Sequence, residues 1–247
     1  MIGQQENIKL LRTFKDKKYN FIIIQGARFI GKTTLVKEVY NDYNIIDCNI
    51  NKEGFEIIKT IEQLKAGKTL LLLQQCDKIL KELYNEILKL VEDGKDDFVL
   101  VMEYLYHIPA TLQTRAKIIT MDSYEEQDDE ICKLADNNEK IISIATSPGE
   151  VLYLKNCPTF NQSYDLGISI ADNIKNASIG NVLKITKMFE EQELDLWVIL
   201  NSLIMKITEN KQYHDLVTTL GVYGEYTTSI AKDDKMFLDK LLLGLKQ

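Results

Sequence analysis

The stretch FIIIQGARFIGKTTLVKEVY, residues 21–40, decides the fold. An apolar, strand-like run leads into a glycine turn, and the turn leads into a helical pattern that begins at GKTT. Gly26, Gly31, Lys32 and Thr33 fit the phosphate-loop spacing, in which two glycines five residues apart precede a lysine and a hydroxyl residue. Backbone N–H groups and a helix N-terminus surround phosphate in such a loop, while the lysine contacts its oxygens and the hydroxyl contacts Mg²⁺. We therefore predict binding of ATP or ADP, with Thr33 as the Mg²⁺ ligand, by Gly26, Ala27, Arg28, Phe29, Ile30, Gly31, Lys32, Thr33 and Thr34.

Apolar runs alternate with helical patterns through the first half of the chain. The runs are residues 21–26, 43–50, 69–75, 98–104 and 116–122. Continuous apolar strands separated by helices are typical of a parallel sheet that is covered on both faces. The sequence therefore predicts an α/β domain with a five-stranded parallel sheet.

The strand pattern stops after residue 122, and the remaining sequence reads as helical. We predict a nucleotide-binding domain at 1–122, a small helical lid at 123–160 and an all-α C-terminal domain at 161–247. The segment CPTFNQS, residues 157–163, is the candidate linker between the two helical parts.

Composition limits the class of protein. The chain has 247 residues with 45% hydrophobic and 27% charged side chains. The sequence has no apolar run near the roughly 20 residues of a membrane span, and its start lacks a signal-peptide layout. We expect a cytoplasmic protein without membrane contact, and the net charge of −7 argues against coating nucleic acid by bulk electrostatics. The four cysteines are isolated, so we expect no zinc site.

The strand at 69–75 ends in Gln74 and Gln75, where a phosphate-loop ATPase usually has acidic residues. A glutamine amide carries no charge and accepts no proton at neutral pH, so it neither offsets the metal charge nor acts as a base. Asp77 follows two to three residues later, either as a recruited acid or as a helix-capping residue. We therefore expect little or no hydrolysis by this chain alone.

The segment NEILKLVEDGKDDFVLVMEYLYHIPATLQTRAKIITM, residues 85–121, resembles the clamp-loader AAA+ ATPases, and is especially similar to the bacterial DNA polymerase III delta-prime subunits. The opening MIGQQENIKLL and the CDKI after the glutamines are similar to further motifs of that family. These motifs occur in the family's order, and the resemblance covers about residues 1–155. It implies an AAA+ phosphate-loop domain, a helical lid and a C-terminal collar-like domain that joins subunits.

The resemblance also implies a function. It implies a delta-prime-like subunit that works with other clamp-loader subunits to place a sliding clamp on primed DNA. Arg115, which stands where the family has the arginine of its SRC motif, would act in trans on the nucleotide of a neighbouring subunit. A planar, permanently charged guanidinium suits a transition state that spreads charge over phosphoryl oxygens.

Several positions depart from the motor subunits of that family. Phe29 replaces a glycine that many family loops have, and Met102 or Glu103 falls at the sensor 1 position. Gly149 falls where motor subunits have the sensor 2 arginine. These departures favour a scaffold subunit over a motor subunit. In such a subunit Arg115 would serve as an arginine finger for the nucleotide of a neighbour. Two alternatives stay open: an autonomous phosphate-loop ATPase of the archaeal or signalling type, and an adaptor that keeps the fold without using nucleotide.

Overall fold

A computed structural model describes the chain over residues 4–49, 69–74, 76, 81–94, 97–122, 124, 129–173, 184–185, 187–189 and 191–209. The chain divides into two compact units, Met1–Tyr124 and Glu125–Gln247. Within the described residues, no helix combines the length and the apolar character that crossing a membrane requires.

The described part of the first unit alternates strands with helices. Its strands are β1 (Phe21–Gln25), β2 (Asn44–Asn49), β3 (Thr69–Gln74), β4 (Asp97–Met102) and β5 (Lys117–Thr120). Its helices are α1 (Gln5–Asp16), α2 (Lys32–Val39), α3 (Lys81–Asp93) and α4 (Ala110–Gln113), with a short 3-10 helix at Leu105–His107.

The five strands form one parallel sheet in the order β2-β3-β4-β1-β5. Strand β1 therefore lies between β4 and β5, with Ile22 opposite Val99 on one side and Lys117 on the other. The predicted five-stranded parallel sheet is confirmed. Each strand falls within one residue of its predicted start and ends up to two residues before its predicted end.

Two apolar cores lie on the two faces of the sheet, because side chains of a strand alternate between faces. Phe21 and Ile23 of β1 pack into the core that α3 covers, and Ile22 and Ile24 pack into the opposite core. That opposite core is covered by α1 and α2. Burial on both faces explains why these strands read as continuous apolar runs.

Two tyrosines before β2 lie at the amino edge of the sheet. Their rings make an edge-to-face contact with centroids 5.0 Å apart, and the Lys15 ammonium lies 5.3 Å from the Tyr40 ring and 5.2 Å from the Tyr43 ring. Burial raises the pKa of the Tyr40 phenol. Burial, the charge of Asp97 and a hydrogen bond to its carboxylate together raise the pKa of Tyr43 to about 12.

This pKa shift predicts a pH effect on stability. An unfolded tyrosine ionises near 10, whereas folded Tyr43 keeps its proton to about 12, so the folded chain binds more protons in this interval. The free energy of unfolding should fall as the pH rises from about 10 to 12. In Tyr43→Phe that fall should be shallower, as measured by urea unfolding across the interval. If the free energy of unfolding of the variant falls with pH as steeply as that of the wild type, Tyr43 does not contribute to the pH dependence.

The described part of the second unit contains helices and connecting turns but no strand. Its helices are α5 (Asp129–Leu134), α6 (Glu139–Ile144), α7 (Pro148–Asn156), α8 (Phe160–Asn173) and α9 (Leu196–Glu209). One core contains Ile131 and Val151 together with Phe160 and Val198, so residues on both sides of position 160 share it. The proposed boundary there is therefore not marked by a break in the core, and residues 210–247 of the proposed collar-like domain lie outside the described residues.

Helices α8 and α9 approach closely at Gly167. A Cβ atom added to Gly167 would lie 2.5 Å from the Ile199 carbonyl oxygen and 2.0 Å from the Ser202 hydroxyl oxygen. Ser163, one turn before Gly167, is fully buried and accepts a hydrogen bond from the Asp195 N–H at 2.9 Å. Small residues on α8 therefore allow the backbones of the two helices to approach closely.

Candidate functional site

The loop between β1 and α2 is anchored at the carboxyl edge of the sheet. The Gly26 N–H donates to the Met102 carbonyl oxygen at 3.2 Å, and the Met121 N–H donates to the Gln25 carbonyl oxygen at 2.9 Å. Ile30 inserts its side chain into the core beneath the loop. The loop is therefore held at the ends of three neighbouring strands.

The backbone of this loop requires glycine at its first position. Gly26 has φ of 153°, and a Cβ atom there would lie 2.8 Å from the Met121 carbonyl oxygen. Gly31 has φ of 93° immediately before α2, and Phe29 is turned to φ of 62°. The bulky Phe29 is thus accommodated in a left-handed conformation, with the Arg28 guanidinium 4.8 Å from its ring centroid.

Lys32 is the first residue of α2, and its side chain turns back over the loop. Its ammonium donates to the carbonyl oxygens of Gly26 at 2.7 Å and of Ala27 at 2.5 Å. Lys32 is only 9% exposed, which is unusual for a lysine. A largely buried ammonium beside a helix N-terminus is a favourable site for an anion.

Thr33 contacts the end of β3. Its hydroxyl donates a hydrogen bond to the Gln74 side-chain oxygen at 2.8 Å. The loop hydroxyl therefore contacts the end of the third strand, where an uncharged amide oxygen is the acceptor. Gln75 and Asp77 lie outside the described residues.

A carboxylate that the sequence did not single out lies beside this amide. Asp47, in the middle of β2, accepts a hydrogen bond from the Gln74 side-chain NH₂ and makes an ion pair with the Lys37 ammonium at 2.6 Å. In the parallel register Asp47 lies opposite Leu72, which precedes Gln74 by two residues on β3. The available signal in the sequence was that Asp47 is the only charged residue of β2, but only the strand pairing connects it to the loop.

The described residues contain no group of three or more His, Cys, Asp and Glu side chains that could hold a metal ion. Mg²⁺ in proteins keeps several waters and is commonly bound by substrate phosphate oxygens and few protein ligands, and at this loop the Thr33 hydroxyl could be one of them. The loop's backbone conformation, the buried ammonium and the hydroxyl fit a nucleotide phosphate with Mg²⁺.

Among solved structures, the chain is similar to a DNA polymerase III gamma-subunit-related protein from Thermotoga maritima. The two share 13% sequence identity, the match covers 97% of this chain and 98% of that one, and the TM-score is 0.54. Two variants of Thermotoga maritima RuvB also match, at 18% and 16% identity, with TM-scores of 0.50 and 0.51 and coverage of 82% of each chain. No family model matches the sequence, and no curated protein matches it.

The chain has an AAA+ phosphate-loop fold. The residues that the resemblance places at sensor 1 lie at the end of β4, where the Met102 side chain is buried in the core on the α3 side of the sheet and Glu103 follows. Gly149, which the resemblance places at sensor 2, stands between Pro148 and Glu150 in the first turn of α7. Neither Met102 nor Gly149 offers a polar side chain to phosphate.

The N-terminal segment of the AAA+ unit is tied to the end of β5. Gln4, only 6% exposed, donates from its side-chain NH₂ to the Asp122 carbonyl oxygen at 3.3 Å and accepts from Asn7 at 2.7 Å. Gln4 lies in the opening segment MIGQQENIKLL, which is similar to a motif of the family.

Arg115 lies where the parallel strands begin, whereas the phosphate loop lies where they end. It precedes β5 by two residues, and Lys117 of β5 pairs with Ile22 near the amino end of β1, whereas the loop follows the carboxyl end of β1. About 10 Å of strand separates Ile22 from Gln25. The Arg115 guanidinium is partly exposed, donates to the Thr111 carbonyl oxygen at 2.9 Å and pairs with Glu92 at 2.9 Å.

Proposed function

We propose that this chain is a delta-prime-like subunit of a DNA polymerase clamp loader. It binds ATP or ADP with Mg²⁺ at the loop of residues 26–34, hydrolyses little or none of it, and offers Arg115 to the nucleotide of a neighbouring ATPase subunit. Its proposed partners are the other clamp-loader subunits, the sliding clamp and, through the assembly, primed DNA. The resemblance over residues 85–121 and the fold shared with a gamma-subunit-related protein support this role.

The observation that carries the proposal is the contact between Thr33 and Gln74. The loop is built as a phosphate site, but its partner on β3 is an amide where a hydrolysing subunit needs an acid. An amide oxygen accepts the Thr33 hydrogen bond and so preserves the loop's geometry. It cannot take a proton from an attacking water, which favours binding without rapid turnover.

Each loop residue has a distinct role in this proposal. The Lys32 ammonium binds phosphate oxygens in exchange for its carbonyl partners in the loop, and the N–H groups at the start of α2 add neutral donors. Thr33 would bind Mg²⁺ through its hydroxyl oxygen, since its hydrogen is donated to Gln74. Bound Mg²⁺ neutralises charge on the phosphate oxygens.

The location of Arg115 supports a role in trans. Its own phosphate loop lies at the other edge of the sheet, so the guanidinium is presented away from the nucleotide of its own chain. Its partner Glu92 and the Thr111 carbonyl keep it near the surface, where the exposed ion pair contributes at most about 1 kcal/mol. Little free energy is therefore lost when Arg115 exchanges Glu92 for phosphate oxygens.

Nucleotide binding by Lys32→Ala tests the phosphate site. Loss of a charged hydrogen-bond donor should weaken binding of fluorescently labelled ATP and ADP about ten- to a hundredfold, as measured by titration. Lys9→Ala, which removes an exposed lysine from α1, is the matched control and should bind like the wild type.

The same preparations test the absence of turnover. The isolated wild-type chain should bind nucleotide yet release phosphate no faster than Lys32→Ala. Rapid hydrolysis that is lost in Lys32→Ala would favour the autonomous ATPase instead. Equal binding by the wild type and Lys32→Ala, or none by either, would favour the adaptor that does not use nucleotide.

A further inference from the structure

Three side chains connect the phosphate loop to strand β2. The Thr33 hydroxyl donates to the Gln74 oxygen at 2.8 Å, and the Gln74 NH₂ donates in turn to an Asp47 carboxylate oxygen. The second Asp47 oxygen pairs with the Lys37 ammonium at 2.6 Å. Asp47 is thus two hydrogen bonds away from the Thr33 hydroxyl, the proposed Mg²⁺ ligand.

The Asp47 carboxylate decides which way the Gln74 amide points. An ionised carboxylate only accepts hydrogen bonds, so the NH₂ group of the amide must face it. The amide oxygen then faces Thr33, which becomes the donor and leaves its oxygen lone pairs for a cation. Were the amide reversed, its NH₂ would donate to the Thr33 oxygen and compete with a metal ion for it.

Asp47 also brings a negative charge to a position where β3 supplies none in the described residues. Its side chain is partly buried, at 29% exposure, so solvent screens it less than a fully exposed carboxylate. Lys37 offsets some of this charge, but its side chain is 50% exposed and its own charge is better screened.

We propose that Asp47 acts through the Gln74 amide as the acid of the magnesium site, orienting Thr33 and supplying the negative charge that the glutamine lacks. This inference rests on the proposed nucleotide site. Asp47 is a positioning residue, because it contacts the amide and not the nucleotide. Its effect should therefore appear in the Mg²⁺ dependence of binding.

The test compares the affinity for labelled ATP in excess Mg²⁺ with that in EDTA. The wild-type chain should bind more tightly with Mg²⁺. In Asp47→Asn this enhancement should fall about tenfold, the loss expected for a residue behind a metal ligand, while affinity in EDTA stays unchanged. The double variant Asp47→Asn with Gln74→Glu moves the charge onto β3 with little change in shape, and should regain the enhancement.

Two further variants separate this role from its alternatives. Lys37→Ala removes the ion pair but keeps Asp47, and should retain the enhancement. Asp77→Asn tests the acid that follows β3 in the sequence, and should also retain it.

Each outcome decides something. An enhancement that Asp47→Asn leaves intact, or that only Asp77→Asn lowers, overturns the inference while leaving the proposed function standing. Equal weakening in Mg²⁺ and in EDTA assigns Asp47 a purely structural role and also overturns it. A wild-type chain that binds no nucleotide in either condition rejects the proposed function and the inference together.

Discussion

Arg115→Ala should lower the ATPase activity of a reconstituted clamp loader by about 10³-fold while leaving nucleotide binding by this chain unchanged. The reason is that the guanidinium acts on a neighbour's phosphoryl group, whereas the loop of this chain lies at the other edge of the sheet. The measurement is steady-state phosphate release by the assembly that contains this chain and its ATPase subunits, with clamp and primed DNA present.

Matched variants test whether Arg115 is an arginine finger or an ordinary surface arginine. Arg115→Lys keeps the charge but loses the planar fork, so most of the activity should still be lost. Glu92→Ala frees Arg115 from its partner within the chain and should leave activity at or above the wild-type level. Arg12→Ala, which removes another exposed arginine, should have no effect. Full activity of an intact assembly that carries Arg115→Ala would refute the finger assignment.

Gly167→Ala should lower the free energy of unfolding of the second unit by about 1 to 2 kcal/mol, because overpacking a close contact costs about 2 to 3 kcal/mol and replacing a helical glycine returns part of it. Two effects oppose each other here. Alanine in a helix is favoured over glycine by about 1 kcal/mol. The new Cβ, however, would lie 2.5 Å from the Ile199 carbonyl oxygen, which is backbone and cannot move without displacing α9.

Chemical denaturation of the full chain, followed by circular dichroism and by the fluorescence of Trp197 on α9, would measure this loss. Ser169→Ala on the exposed face of α8 is the matched control and should be neutral or slightly stabilising. A Gly167→Ala variant as stable as the wild type would mean that α8 and α9 do not approach as closely as described.

The sheet could be predicted because its information is local. Residues 21–24 and 70–73 are apolar without alternation, and so short a run is typical of a strand buried on both faces. The phosphate loop could be predicted equally well, since its glycines, lysine and hydroxyl residue all lie within nine residues of the sequence. The absence of an acid at Gln74 was readable for the same reason.

The contacts that complete the site could not be predicted from neighbouring residues in the sequence. Asp47 and Gln74 are 27 residues apart, and their contact depends on the parallel register between β2 and β3. A shift of one residue would turn Asp47 to the other face of the sheet. The pairing of Arg115 with Glu92 likewise depends on where α3 ends relative to the start of β5.

The sequence by itself determined that this protein has a parallel α/β sheet, a phosphate loop and an amide at the end of its third strand, because each is a pattern of neighbouring residues. The tertiary structure decided which charge stands behind that amide, which edge of the sheet carries Arg115 and where two helices need Gly167. These depend on strand register and helix approach, which are set by packing the whole chain and not by any one segment.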